Sequence, residues 1–112
     1  MKDIRRIWLV KLKDGKLYCA LCGELIKVRK DLNADHRIPK SLGGKTDNDN
    51  LQPAHKWCNE ARGNMWMEDW KVRGYSELKG LVDRWKKNKT RYNKTGVRKS
   101  LIILKKRFEK GR

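Results

Sequence analysis

The chain has 112 residues, of which 30 are Lys or Arg and 13 are Asp or Glu, so its formal net charge is +17 at pH 7. This length fits one domain whose small core would gain from a bound metal, and this charge favours a polyanionic partner such as nucleic acid. No apolar stretch is long enough to span a membrane and no signal peptide opens the chain, so we expect a soluble, cytoplasmic protein with no membrane partner.

The first predicted element is a short helix over residues 4–12. Apolar side chains fall on one helical face there: Ile4, Ile7, Trp8 and Leu12. The alternation of Trp8, Val10 and Leu12 fits a strand almost as well, and we favour the helix.

A turn at residues 14–15 leads to a predicted knuckle at residues 17–22, in which the chain doubles back around two cysteines. Short strands are expected around two sets of apolar residues: Leu25, Ile26 and Val28, and then Leu32, Ala34 and Ile38. Residues 41–50 would form the loop before a second strand, which carries Leu51.

The second half of the chain is predicted to be helical. Pro53 suits the first turn of a helix over residues 53–62, which Gly63 would end. After a buried aromatic connector at residues 65–70, Ser76 would cap a helix over residues 77–87. The apolar stripe of that helix is Leu78, Leu81, Val82 and Trp85. After a polar break at residues 88–96, a last helix would carry Val97, Leu101, Leu104 and Phe108.

Two short ligand pairs, Cys19-x-x-Cys22 and His55-x-x-Cys58, predict a structural zinc site. Three thiolates and one imidazole form a closed tetrahedral Zn²⁺ site that leaves no position open for water. An odd number of cysteines excludes a fully disulfide-bonded framework, so reduced thiols are expected. The alternative is that the cysteines are ordinary buried thiols and His55 is a surface residue.

Residues 33–64 contain both histidines of the chain within an ordered set of short motifs. These are Asp35-His36, Pro39-x-Ser41-x-Gly43-Gly44, Asn50-Leu51 and Cys58-Asn59-x-x-Arg62-Gly63. The set resembles the signature of the HNH endonucleases, the ββα-metal nucleases. This resemblance covers roughly residues 19–64 and implies an α+β fold with a ββα-metal (HNH) core held by a structural zinc, to which further C-terminal helices are added. The family often has a second Cys-x-x-Cys where this chain has His55, although imidazole is also a standard zinc ligand.

The same resemblance implies roles for four residues in phosphodiester hydrolysis, which needs a base for the attacking water and a cation for the developing charge. His36, with an ordinary pKa of about 6.5, suits the base, and the resemblance assigns it that role. Asp35 and Asn59 would bind the catalytic divalent ion, and Asn50 would brace the base or its loop. The amide oxygen of Asn59 favours Mg²⁺ or Mn²⁺, with Ni²⁺ also possible. Asp35 and His36 can reach one phosphate only if their strand ends or bulges there.

Basic residues are expected to bind the phosphates of DNA. Arg62 follows Asn59 by three residues, so it would share its helical face and hold a phosphate. Further DNA contacts are expected from Arg37, Lys40, Lys86, Lys87 and Arg91. For the C-terminal basic groups, a solvated helix face is the alternative.

The sequence thus predicts a single HNH domain over residues 1–112, with a core at 1–70 and a basic helical extension at 71–112. Its predicted function is metal-dependent cleavage of duplex DNA, by nicking or double-strand cutting, with 5′-phosphate and 3′-hydroxyl products by family analogy. The alternative is a non-catalytic nucleic-acid-binding module held together by zinc. We favour a monomer. Small proteins of this type are frequent in phages and mobile introns, which suggests phage packaging or recombination proteins as partners, and the host cytoplasm as the location if a phage encodes it.

Overall fold

The computed structural model describes residues 4–88 and 101–106, with the backbone alone for Lys86 and Asn88. Its helices and strands follow in the order α1 (Ile4–Lys13), β1 (Leu32–His36), β2 (Leu51–His55), α2 (Lys56–Arg62) and α3 (Met67–Asn88). The predicted α+β class is confirmed, and β1, β2 and α2 give the ββα order of the expected core. The N-terminal helix is also confirmed. It buries Trp8, which is 5% exposed, against the core.

The knuckle between α1 and β1 is a tight turn closed by backbone hydrogen bonds. The amide of Cys19 donates to the carbonyl of Glu24 (2.8 Å), and the amide of Ile26 donates to the carbonyl of Leu17 (2.7 Å). The predicted strand around residues 25–28 is wrong, because pairing there is limited to an isolated bridge between Tyr18 and Leu25. After the knuckle, the chain enters a short 3₁₀ turn at Arg29–Asp31.

Strands β1 and β2 form an antiparallel pair in which Asp35 lies opposite Gln52 and His36 lies opposite Leu51. Leu51 is on the second strand, as predicted. Strand β1 ends at His36, so Ile38 is not part of it. The backbone of Ile38 is instead bound on both sides by the side chain of Asn50.

Pro53 lies within β2, so the predicted helix start is wrong, and α2 begins at Lys56. The carbonyl of Pro53 accepts a hydrogen bond from the amide of Ala20 in the knuckle (2.8 Å). In a strand, the nitrogen and carbonyl of one residue face the same edge, so the nitrogen of Pro53 also faces away from β1 and no ladder bond is lost. The predicted end of the helix is confirmed: Gly63, with φ of +55°, follows Arg62.

Helix α3 begins at Met67, nine residues before the predicted cap at Ser76, which lies exposed inside the helix. Gly74, which also lies inside α3, has a packing role. A Cβ atom at residue 74 would lie 2.8 Å from Cε2 of Trp70. That ring is 1% exposed and its Nε1 donates to the carbonyl of Leu21 (2.8 Å), so it holds α3 against the knuckle.

One hydrophobic core joins the knuckle, the sheet and the helices. The stripe predicted for α3 is confirmed, since Leu78, Leu81 and Trp85 are at most 9% exposed and Val82 packs against them. Helix α3 crosses the boundary predicted between residues 70 and 71. Trp66, expected to be buried in the connector, is 43% exposed.

The predicted C-terminal helix is described only at residues 101–106, which are helical and bury Leu104 at 2% exposure. Val97 and Phe108 lie outside the described residues, as does most of the predicted break at 88–96. Across residues 4–88 and 101–106, no helix has the length and apolar character needed to cross a membrane.

Candidate metal centre and catalytic site

The four predicted zinc ligands come together between the knuckle and the start of α2. The donor atoms of Cys19, Cys22, His55 and Cys58 all lie within 4.8 Å of one another, and all four residues are buried. Nδ1 of His55 lies 3.4 Å from Sγ of Cys22 and 3.9 Å from Sγ of Cys58. Tetrahedral zinc with ordinary bond lengths places sulfur and nitrogen ligands about 3.5 Å apart, so the donor set fits the ion.

Neighbouring backbone groups orient these ligands. Nε2 of His55 lies 3.2 Å from the carbonyl of Leu25, which can only accept, so with an ion bound Nε2 would keep its proton and Nδ1 would present its lone pair to the ion. The amide of His55 donates to Sγ of Cys19 (3.3 Å), and the amide of Glu24 donates to Sγ of Cys22 (3.5 Å). Both bonds stabilise thiolates. The ring of Trp57 stacks on His55 at a centroid distance of 4.5 Å, which fixes the imidazole plane.

The members of the cluster differ in their ionisation. Hydrogen bonds from Cys19 and Cys58 hold the pKa of Cys22 far below its ordinary value, even though burial opposes this. Burial raises the pKa of Cys58 well above its ordinary value. For His55, burial lowers the pKa, but hydrogen bonds to Cys19 and Cys22 outweigh it and raise the pKa to about 10. Zinc binding therefore displaces protons from both Cys58 and His55.

His36, the predicted base, stands at the end of β1 and is half-buried. Its Nε2 lies 3.0 Å from the hydroxyl Oγ1 of Thr46, in the loop that connects the strands. The end of the strand supplies the break in regular geometry that the Asp35-His36 pair requires. Thr46 was not identified from the sequence, because a lone Thr in a polar loop carries no distinctive signal.

Asn50 closes the loop that follows His36. Its Oδ1 accepts from the amide of Ile38 (2.9 Å), and its Nδ2 donates to the carbonyls of Ile38 (3.1 Å) and Lys45 (2.8 Å). The amide of Arg37 also donates to the backbone carbonyl of Asn50 (2.8 Å). These bonds join the start of the loop at Ile38 to its end at Asn50.

Asp35 is 2% exposed, and two side chains donate to the same carboxylate oxygen. Nε2 of Gln52 lies 2.7 Å from Oδ2, and NH1 of Arg62 lies 2.5 Å from it. Neither of them donates to the other carboxylate oxygen, Oδ1. Gln52 was missed in the sequence, because β2 buries residues on both of its faces and shows no polar and apolar alternation.

The prediction that Arg62 holds a phosphate does not fit its position, because its side chain is 0% exposed. Arg62 lies on the buried side of α2, and its guanidinium donates hydrogen bonds to acceptors inside the protein. Asn59, three residues earlier, is half-buried on the same helix. Since residues three apart are neighbours on a helix, Asn59 and Arg62 lie on the same side of α2.

The remaining predicted DNA contacts are basic residues that follow β1 or lie toward the C-terminus. Arg37 and Lys40 are exposed next to His36, and Lys87 is exposed near the end of α3. Lys86 lies on α3, but its side chain is outside the described part of the structure, and Arg91 is outside it altogether.

Residues 19–65 match the model of the HNH endonuclease family. The predicted resemblance is therefore confirmed over the segment that contains the zinc ligands, both strands and α2. Comparison with curated proteins found no match, and comparison with solved structures found none either. A match to this family suggests nuclease activity and a metal-binding site, and the cluster of three cysteines and one histidine is consistent with a structural zinc site.

Proposed function

We propose, from the HNH endonuclease match at residues 19–65, that this chain is a metal-dependent DNA endonuclease that hydrolyses phosphodiester bonds. The observation that supports this most is the arrangement at the end of β1. It combines a half-buried His36, an acid next to it at Asp35, and a loop closed by Asn50. The zinc ligands hold this arrangement together from the opposite end of the sheet, because His55 pairs with Leu32 at the far end of the register.

In the proposed mechanism, His36 is the general base that takes the proton of the attacking water. In the described part of the structure, the hydroxyl of Thr46 is the hydrogen-bond partner of its ring. When Nε2 donates to the hydroxyl of Thr46, Nδ1 has its lone pair free to accept the proton.

Asp35 and Asn59 would hold the catalytic divalent ion, the first through Oδ1 and the second through its amide oxygen. Oxygen ligands of this kind fit Mg²⁺ or Mn²⁺, with Ni²⁺ as a further candidate. An ion held there would stabilise the negative charge that develops on the phosphate and on the leaving oxygen. Arg37 and Lys40, exposed beside His36, would bind the neighbouring phosphates and orient the DNA. The expected products are a 5′-phosphate and a 3′-hydroxyl.

A second candidate is a zinc-containing module that binds nucleic acid without cutting it. One observation favours it: Arg62 already neutralises the carboxylate of Asp35, whose side chain is only 3% exposed. A neutralised carboxylate attracts a divalent ion less strongly than a free one.

Incubation with supercoiled plasmid and Mg²⁺ or Mn²⁺ separates the two candidates, because both bind DNA and only the endonuclease converts the plasmid to nicked or linear form. Asn59→Ala should raise the ion concentration needed for the half-maximal rate. Glu60→Gln, an exposed neighbour on α2, is the matched control and should leave that concentration unchanged. If the parent protein binds plasmid and does not cut it with either ion, the binding module is correct.

A further inference from the structure

Arg62 carries a positive charge in the interior of the protein, with a side chain that is 0% exposed. Its guanidinium donates to four acceptors. Nε donates to the carbonyl of Met65 (3.0 Å), and NH1 donates to Oδ2 of Asp35 (2.5 Å) and to the carbonyl of His36 (2.8 Å). NH2 donates to the carbonyl of Arg37. A guanidinium has five N–H groups, so these contacts use most of its capacity within the protein.

Three of these four acceptors belong to consecutive residues at the end of β1. Arg62 thus binds the side chain of Asp35 and the two backbone carbonyls that follow it, those of His36 and Arg37. The fourth acceptor, Met65, lies just beyond α2 and fixes the guanidinium relative to the helix. The hydrogen bonds of the planar Arg62 guanidinium therefore join the end of β1 to the end of α2.

Gln52 supports the same carboxylate from β2. It lies opposite Asp35 in the register and donates to Oδ2, the oxygen that Arg62 also binds. Two donors on one oxygen determine the plane of the carboxylate and direct Oδ1 away from both of them. A carboxylate fixed in this way presents one oxygen in a defined direction.

We propose that Arg62 is a positioning residue that places Asp35 and His36 for the reaction, and that it is not a ligand of DNA phosphate. This inference rests on the proposed nuclease function for its effect on cleavage, while its effect on His36 can be measured without any cleavage. Its physical basis is the shape of arginine, because a lysine retains the charge but cannot bind several acceptors in a fixed plane.

The test compares the parent with Arg62→Lys, and with Arg73→Lys as the control. Arg73 is an exposed arginine on α3, 61% exposed at its side chain, that pairs with Glu77. In a phosphate-binding role, Lys would replace Arg62 with little loss. In the positioning role, Arg62→Lys should lower the plasmid cleavage rate at saturating DNA by about 100-fold, since a displacement of about 1 Å can cost that much, and KM for DNA should stay unchanged.

A second readout uses the fact that the chain has two histidines. In an NMR spectrum of the histidine rings, Arg62→Lys should shift the signals of His36 and leave those of the zinc ligand His55 in place. Near-parental cleavage together with unchanged His36 signals would overturn the inference. If the parent shows no cleavage but the His36 signals still shift, the proposed nuclease function fails and the positioning by Arg62 stands.

A buried charge that loses its partner can unfold a small protein, so a second variant is needed. Loss of the zinc-bound His55 signals would report unfolding of Arg62→Lys. In that case Gln52→Met is used, because it removes one donor to Oδ2 of Asp35 and leaves the ion pair with Arg62 intact. It should also shift the His36 signals, and unchanged signals in a folded Gln52→Met variant would refute the positioning of this carboxylate and of His36 by its donors.

Discussion

Replacing Cys22 with Ser should remove most of the folded state of this protein. The four zinc ligands connect two segments of chain, residues 19–22 and 55–58, and are at most 3% exposed. A serine hydroxyl does not ionise near neutral pH and is a poor zinc ligand, so the substitution loses the ion as well as one bond. Structural zinc contributes roughly 10–16 kcal/mol to the folding of small domains, whereas the net stability of a whole domain is about 5–15 kcal/mol. The loss of zinc should therefore outweigh the remaining stability.

The assay combines zinc content per chain with thermal melting followed by circular dichroism, with and without a strong chelator. The parent should contain one zinc ion and lose its melting transition when chelated, and Cys22→Ser should resemble the chelated parent. Ala20→Ser, at an exposed position of the same knuckle, is the matched control and should behave as the parent. His55→Cys should retain zinc, because four thiolates also form a structural site.

A zinc-free preparation that melts at the parental temperature would refute this reasoning. It would mean that the core around Trp8, Trp57 and Trp70 is stable without the ion. The four ligands would then be ordinary buried side chains.

Two further predictions test the packing of α3 and the path of the DNA. Gly74→Ala should destabilise the protein by about 1–2 kcal/mol, because overpacking against Trp70 exceeds the helix propensity gained. Gly80→Ala, with no atom within 4 Å of the added Cβ, should instead stabilise it by up to about 1 kcal/mol, and equal shifts in urea unfolding would contradict this reading. Replacing Arg37 and Lys40 together by Gln should reduce the slope of log affinity against log salt by about 1.8, since each phosphate contributes roughly 0.9. An unchanged slope would mean that Arg37 and Lys40 do not contact DNA phosphates.

The zinc centre could be predicted from the sequence because its chemistry is local. Each ligand pair lies within a single turn, so the residue types and the spacing within each pair already determine the geometry. The end of α2 at Gly63 was predictable for the same reason, because a residue with positive φ after a helix favours glycine.

The errors arose where a residue type has two structural uses. Pro53 can begin a helix or lie in a strand whose nitrogen faces away from its partner, and the contact with Ala20 decides between them. Ser76 can cap a helix or lie exposed inside one, and α3 begins earlier, where Trp70 is bound to Leu21 of the knuckle. Such contacts depend on residues distant in the chain, so the local pattern does not contain them.

The role of Arg62 shows the same limit in the site itself. Its spacing from Asn59 places both residues on one side of the helix, but spacing does not determine whether that side is open to DNA or buried. The structure buries it, and the carbonyls of His36 and Arg37 take the donors that a phosphate would need.

The measurement that tests the proposed function most directly is plasmid cleavage by His36→Ala in the presence of Mg²⁺ or Mn²⁺. Asn33→Ala, at an exposed position of the same strand, is the control and should cut at the parental rate. If His36 is the general base, His36→Ala should cleave about 10²–10⁴ times more slowly than the parent while its zinc content and its affinity for DNA stay the same. Near-parental cleavage by a folded, zinc-containing His36→Ala protein would remove His36 from the mechanism and contradict the account of this site.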